Sequence, residues 1–140
     1  MQPQEELIRE IVRRVMAQTS EPVKQRDAGG ALLIHTAAVK TEPFEGRSDV
    51  RLKDLTTLEE APRMGAGLME LLNGADFEWT LTYDEYDYVM EGTLEIVLDS
   101  GMVLTGQPGD VLYIPKNTHI HFRTPQEARY VYFVYPANWQ

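Results

Sequence analysis

The sequence predicts an all-β protein, an antiparallel jelly-roll barrel with one short amphipathic helix before it. Apolar and polar residues alternate with period two in about nine short segments, as in strands with one buried face. Turn signals such as Asn73-Gly74 and Asp99-Ser100-Gly101 separate several of these segments. No helical pattern lies between them, so the strands are expected to pair with one another and close into a barrel.

Residues 1–18 are predicted to form the helix. Pro3 suits a helix start, and one apolar stripe follows it, formed by Leu7, Ile8, Ile11, Val12, Val15 and Met16. Residues 19–30, with Pro22 and two glycines, are typical of a linker. The helix is therefore expected to be tethered to the barrel rather than built into it.

Two interpretations of this helix remain open. Its stripe can pack on its own barrel or on a second copy of the chain. A short terminal helix on a linker also resembles the encapsulation peptides that carry enzymes into bacterial microcompartments. In that case the residues predicted to dock on a shell protein are Leu7, Ile8, Ile11, Val12 and Val15.

The barrel is expected to span residues 31–140. Residues 31–39 are predicted as its first strand, with His35 as a hydrogen-bonded core residue, and residues 40–48 as a polar loop. Residues 65–72 have helical propensity, but their position before the next strand favours a strand with Met69 pointing inward. The final strand, ARYVYFVY, is rich in aromatic and β-branched residues.

The stretch WTLTYDEYDYVMEG organises the barrel. Its first half alternates with Trp79, Leu81 and Tyr83 on one face, and the alternation resumes with Glu85 and Asp87 on one side. A second block, GDVLYIPKN, begins at residue 109 and contains a strand that Pro115 ends. The two blocks together carry the spacing of a known pair of motifs.

This pair of motifs resembles that of the cupins. Glu85 and Gly92 fit the first motif, and Gly109 and Pro115 fit the second. The three positions at which cupins carry metal-binding histidines hold other residues, namely Trp79, Leu81 and Ile120. The resemblance implies a double-stranded β-helix that holds no tightly bound metal or cofactor, because one carboxylate is a poor transition-metal site.

The two blocks and the terminal PANW together resemble the EutQ cupins of ethanolamine utilization, over roughly residues 49–139. That family implies association with a bacterial microcompartment and acetate kinase activity, converting acetyl phosphate and ADP into acetate and ATP. Mg-ATP and Mg-ADP would then be substrates. The alternative is a non-catalytic cupin that binds a small ligand or a shell protein and organises the microcompartment, and the absence of a nucleotide-binding motif favours it.

Glu85 and Asp87 are the predicted catalytic residues. Two carboxyl groups crowded inside a small barrel raise at least one pKa, which suits acid–base work or a cation clamp. They can equally be structural groups that are hydrogen-bonded by tyrosines. The residues predicted to line a ligand site around them are Met69, Trp79, Leu81, Tyr83, Tyr113, Ile120 and Tyr132.

His119 and His121 place two imidazoles on one face of a strand, a spacing that can hold a metal. If Ile120 points inward, both histidines point outward, because a strand alternates. They are therefore predicted to be solvated surface residues, and a metal site on the outside of the barrel is the alternative.

The amino-acid composition limits the kinds of partner that the chain is expected to bind. Thirteen basic and 22 acidic residues give a net charge of −9, which disfavours nucleic acid. The chain has no cysteine, no apolar run long enough for a membrane span and no signal peptide, so a cytoplasmic protein is expected. Exposed sheet edges and tyrosine-rich faces predict a homodimer.

Overall fold

The computed structural model describes residues 4–9 and 23–139. Residues 4–9 are helical, and Leu7 and Ile8 are 59% and 61% exposed. The rest of the predicted helix, with Ile11, Val12 and Val15, lies outside the described residues. The chain divides into two compact units, residues 1–39 and residues 40–140.

The first unit contains a small hairpin. β1 (Lys24–Arg26) pairs antiparallel with β2 (Leu32–Ile34), and a 3-10 turn follows at Thr36–Ala38. The predicted linker therefore contains a strand, because its glycines close a hairpin in which Gly30 has a φ of 102°. The strand predicted for residues 31–39 is confined to β2. His35 is exposed rather than in a core.

The second unit is built from strands. In chain order they are β3 (Glu42–Phe44), β4 (Arg47–Asp54), β5 (Gly65–Leu71), β6 (Asp76–Thr80), β7 (Asp84–Gly92), β8 (Leu94–Leu98), β9 (Val103–Gly106), β10 (Val111–Ile114), β11 (His119–Arg123) and β12 (Ala128–Tyr135). The predicted all-β architecture is confirmed.

Two antiparallel sheets enclose one hydrophobic core. The larger sheet has the order β10-β7-β12-β5-β4-β3, and the smaller has the order β6-β11-β8-β9. Both contribute inward side chains, which include Val50, Met69, Leu71, Val89, Leu94, Ile96, Ile120, Phe122 and Tyr130. The inward orientation expected of Met69 is confirmed.

The sequence missed strand β3, which falls in the predicted loop of residues 40–48. A proline is tolerated there because β3 is an edge strand, whose outer N–H groups need no partner in the sheet. Glu45 and Gly46, with φ values of 53° and 72°, turn the chain into β4. The compact barrel unit therefore begins at Lys40 rather than at residue 31.

The organising stretch crosses from one sheet to the other. β6 ends at Thr80 and β7 begins at Asp84. Between them Leu81 donates its N–H to the carbonyl of Thr118 at 3.0 Å and accepts from the N–H of Asn117 at 2.8 Å. Asn117 has a φ of 71°, a left-handed conformation that asparagine tolerates better than most residues. The crossing brings the two sequence blocks together at one end of the barrel.

Candidate functional site

Strand β7 carries two carboxyl groups into the barrel. Glu85 and Asp87 are only 4% and 0% exposed, whereas Tyr86 and Tyr88, between and beyond them, lie on the outer face. The alternation of the strand produces this arrangement, because every second side chain points to the same face. We refer to Glu85 and Asp87 as the carboxyl pair.

Burial favours the protonated forms of the carboxyl pair. Neither carboxylate oxygen of Asp87 has a hydrogen-bond partner among the described residues, so an ionised Asp87 would be left unpaired in the core. Burial raises the pKa of Asp87 to about 7. Burial and the charge of Asp87 raise the pKa of Glu85 well above its ordinary value. The pair is therefore at least partly protonated at neutral pH.

Aromatic rings close the mouth of the barrel in front of the pair. The indole N–H of Trp79 donates to the hydroxyl of Tyr83 at 2.8 Å. The ring of Trp79 also packs on Phe44, Phe77 and Trp139, with ring centroids 5.5–6.2 Å apart. Trp79 thus packs in an aromatic cluster at the mouth of the barrel.

A small cavity remains behind these rings. Its volume of about 20 Å³ leaves room for about one water molecule. We call it the mouth cavity, and its walls are Phe44, Leu52, Met69, Phe77, Trp79, Tyr83, Glu85, Phe122, Tyr132 and Trp139. The barrel is therefore plugged, and no molecule larger than water fits beside Glu85 without movement of a ring.

A larger groove of about 570 Å³ lies on the other side of Phe44, Leu52 and Trp139, which line both spaces. Its polar wall includes Glu42, Lys53, Asp54, Thr56, Thr57 and Asn138. Sequence reasoning missed this groove, because its walls come from the ends of separate segments that share no motif.

Asp54 fixes the ring that separates the two spaces. One of its carboxylate oxygens accepts from the indole N–H of Trp139 at 3.2 Å and from the hydroxyl of Tyr132 at 2.9 Å. Trp139 is thereby held between the groove and the mouth cavity. Trp139 and Leu52 therefore line both the groove and the space beside Glu85.

The structure brings most of the predicted ligand-site residues together. Met69, Trp79, Tyr83 and Tyr132 line the mouth cavity, whereas the fully buried Leu81 and Ile120 lie in the core beside it.

The prediction for Tyr113 is wrong. Its side chain is 48% exposed, and its ring lies 4.9 Å from that of Tyr86 on the outer face. Tyr113 pairs with Tyr86 across β10 and β7, so the register gives both residues the same face.

His119 and His121 point outward from β11, as expected from the burial of Ile120. They are not simply solvated, however. His119 contacts Asp99 and Glu78, and these hydrogen bonds raise the pKa of its imidazole. His121 contacts Asp76. These acidic partners lie far away in the sequence, and no motif spacing predicted them.

The second unit has two antiparallel sheets around one core, and both motif blocks lie at the mouth of the barrel. No histidine lines the mouth cavity. These features define a cupin barrel without the usual metal ligands. The model of the family "Ethanolamine utilisation protein EutQ" matches residues 3–140. The chain belongs to this family.

Relatives with assigned names support the same family assignment. The chain is 40% identical to "Acetate kinase EutQ" of Clostridioides difficile strain 630, over 96% of this chain and 90% of the relative. It is 43% identical to the protein of the same name from Salmonella typhimurium LT2, over 80% of this chain but 49% of the relative. The chain thus spans nearly all of the first relative and about half the length of the second.

Comparison with solved structures gives the same family and the same fold. The Clostridium difficile EutQ protein superposes with a TM-score of 0.77 and 42% identity, over 84% of this chain and 96% of that chain. A putative ethanolamine utilization protein from Salmonella typhimurium LT2 superposes with a TM-score of 0.76 and 39% identity, over 82% of this chain and 94% of that chain. The polyketide cyclase RemF from Streptomyces resistomycificus shares the fold. It superposes with a TM-score of 0.65 and 22% identity, over 74% of this chain and 78% of that chain. Among the described residues, no helix is long and apolar enough to span a bilayer.

Proposed function

We propose that this chain is an acetate kinase of ethanolamine utilization, with the activity for which its EutQ relatives are named. The observation that carries the proposal is the groove that Trp139 separates from the mouth cavity and Glu85. A volume of about 570 Å³ falls in the range of small-molecule sites and suits a nucleotide. Lys53 and Asp54 in its wall are the kinds of residue that contact a magnesium nucleotide.

The reaction would transfer one phosphoryl group. An acetate oxygen attacks the γ-phosphorus of ATP, the bond from that phosphorus to the bridging oxygen breaks, and ADP leaves with the electron pair. Lys53 would offset phosphate charge at the groove, and Asp54 would offer an oxygen to the magnesium ion of the substrate. No net proton is needed in this step.

The carboxyl pair would act at the inner end of the groove. Trp139 separates the two in the closed form, so the proposal requires the Asp54–Trp139 hydrogen bond to break when substrate binds. A cation that reached the pair would displace protons from it, because a positive charge favours the ionised form of both carboxyls. This couples substrate entry to a change in the charge of the barrel interior.

The test is acetyl phosphate formation by the purified chain from acetate and Mg-ATP. We expect activity in the unmutated protein and its loss in Glu85→Gln and Asp87→Asn, since each change keeps the shape of the side chain and removes its ability to ionise. Lys53→Met should weaken nucleotide binding. Glu91→Gln is the matched control, because Glu91 lies on the same strand but is exposed at its end. Full activity in both pair variants would place the reaction elsewhere.

The second candidate is a non-catalytic cupin that binds a small ligand. The mouth cavity favours it, because a water-sized space lies beside Glu85 and movement of one ring would enlarge it. Absence of acetyl phosphate formation in the unmutated chain would favour this function. Binding of a small carboxylic acid, lost in Glu85→Gln, would then support it.

We also propose that the chain is associated with a bacterial microcompartment, through docking of residues 1–18 on a shell protein. The exposed Leu7 and Ile8 support this, because their side chains are available to a partner.

A homodimer is proposed through the outer face of the larger sheet. That face exposes a group of large apolar side chains, namely Tyr86, Tyr88, Val111, Tyr113, Phe133 and Tyr135. Analytical ultracentrifugation of Tyr86→Ser and Phe133→Ser variants tests the dimer, which both changes should weaken.

A further inference from the structure

A group of nitrogen and oxygen donors lies on the outer face of the smaller sheet, away from the mouth of the barrel. Strands β6 and β11 are antiparallel, and their register pairs His121 with Glu78. His119 lies two residues from His121 and therefore on the same face. We call Glu78, His119 and His121 the histidine cluster.

The donor atoms of the cluster converge on one point. Nε2 of His119 lies 2.8 Å from Oε2 of Glu78, and Nε2 of His121 lies 3.8 Å from the same oxygen. One donor atom from each of the three residues falls within 4.8 Å of the other two. A tetrahedral zinc ion with bonds of about 2.0–2.1 Å separates its ligand atoms by about 3.3 Å. The observed spacings lie on both sides of that value, so small side-chain rotations would close the site.

The other ring nitrogens are already oriented. Nδ1 of His119 lies 2.6 Å from a carboxylate oxygen of Asp99, and Nδ1 of His121 lies 2.6 Å from one of Asp76. A carboxylate that accepts from Nδ1–H fixes the tautomer, leaves the lone pair on Nε2 and increases its basicity. In this tautomer both Nε2 atoms are available to a metal ion bound beside Glu78. A merely solvated histidine needs no such partner.

We propose that the histidine cluster binds a divalent zinc ion, with His119, His121 and Glu78 as ligands and water in the fourth position. Asp76 and Asp99 orient the two imidazoles. With both histidines neutral, the three carboxylates give the group a charge of −3, which attracts a cation. Two imidazole nitrogens favour zinc over calcium or magnesium, which take oxygen ligands. The site is partly exposed, with 35% and 38% of the two histidine side chains accessible.

The competing arrangement contains a proton instead of a metal. An imidazolium at His119 can donate to both Asp99 and Glu78, and this ion pair would satisfy the same contacts without any ion. The two arrangements differ at His121, because its Nε2 lies 3.8 Å from Glu78, beyond hydrogen-bond distance. Zinc draws both Nε2 atoms to one centre, whereas the proton involves only His119.

Isothermal titration calorimetry of the untagged full chain with zinc chloride tests the proposal. After dialysis against a chelator, we expect saturation at one equivalent of zinc, and no binding of magnesium under the same conditions. His121→Ala should lower the affinity for zinc at least about tenfold, and Asp76→Asn and Asp99→Asn should lower it about tenfold each. The visible spectrum of the cobalt-substituted protein should show tetrahedral coordination.

His35→Ala is the matched control. His35 is the third histidine of the chain and lies in the first unit, so its removal should leave zinc binding unchanged. Circular dichroism checks that each variant is folded. The absence of saturable zinc binding would overturn the proposal, as would equal zinc affinity in the unmutated chain and in folded His121→Ala. Neither result depends on acetate kinase activity.

Discussion

The indole nitrogen of Trp79 donates a 2.8 Å hydrogen bond to the hydroxyl of Tyr83 inside the mouth of the barrel. Trp79 occupies a position at which metal-binding cupins carry a histidine, and Tyr83 is almost fully buried beneath it. The indole of Trp79, with its N–H group hydrogen-bonded, therefore stands where those cupins have a metal-binding imidazole. Burial raises the pKa of Tyr83, so its hydroxyl stays neutral at physiological pH.

We expect no transition metal inside the barrel, because three of the four cupin ligand positions are Trp79, Leu81 and Ile120. Elemental analysis should be made on His121→Ala protein, so that the histidine cluster does not contribute zinc. We expect well below one equivalent of iron, manganese or zinc after dialysis. One equivalent that disappears on a further Glu85→Gln change would contradict this prediction.

The carboxyl pair should make the fold less stable as pH rises. The pKa of Asp87 is about 7 in the folded protein and about 4 when unfolded, so the folded state binds the extra proton between these values. Its contribution to the free energy of unfolding is full below pH 4 and is lost by pH 7. Asp87→Asn removes this pH-dependent loss of stability, because an asparagine side chain does not titrate.

Urea denaturation of Asp87→Asn and the unmutated protein at a series of pH values measures the effect. The stability of the variant relative to the unmutated protein should rise by at least about 1 kcal/mol between pH 4 and pH 7. A difference that does not change with pH would show that Asp87 is already ionised in the folded protein at pH 4. Glu91→Gln serves as the exposed control.

Gly67 should not tolerate alanine. A Cβ at this position would overlap the ring of Tyr132, which crosses the strand there. Because Tyr132 also donates to Asp54, its ring cannot move away without loss of that hydrogen bond. We expect Gly67→Ala to lower the free energy of unfolding by about 2–3 kcal/mol.

Gly65→Ala is the matched control for Gly67→Ala, since it lies on the same strand and face. Its Cβ would approach a methyl group of Val134 at 3.2 Å and would otherwise make ordinary van der Waals contact with the backbone of Ala137. Thermal denaturation of both variants provides the comparison. Equal melting temperatures would mean that the ring of Tyr132 is free to shift.

Removal of residues 1–18 should leave the melting temperature within a few degrees of the full chain. The hydrophobic core of the second unit is formed within residues 40–139, and Leu7 and Ile8 are exposed. The same truncation should abolish co-purification with microcompartment shells. A large fall in melting temperature, or unchanged co-purification, would show that the helix belongs to the fold.

Local patterns in the sequence predicted the strands that alternate strongly, and for this reason β7 and β12 were recognised. They also predicted the burial of Glu85 and Asp87. Edge strand β3 was missed because Pro43 is a loop signal unless the neighbouring strand is known. Tyr113 was assigned to the wrong face because its orientation depends on its register with β7, which the sequence does not specify.

The partners of the two outward histidines could not be predicted for a related reason. Asp76 and Glu78 reach them from β6 and Asp99 reaches them from the turn after β8, at sequence separations of 20–45 residues. Spacing within a single strand predicts which residues share a face. Only sheet order shows which other strands lie beside that face.

Both tryptophans of the chain, Trp79 and Trp139, line the mouth cavity. The tryptophan fluorescence of this protein therefore originates from the mouth of the barrel. A molecule that enters from the groove, or a swing of Trp139 away from Asp54, would change the emission of one or both indoles. The unlabelled protein thus carries its own optical probe for opening of the barrel, with a time resolution suited to stopped-flow mixing.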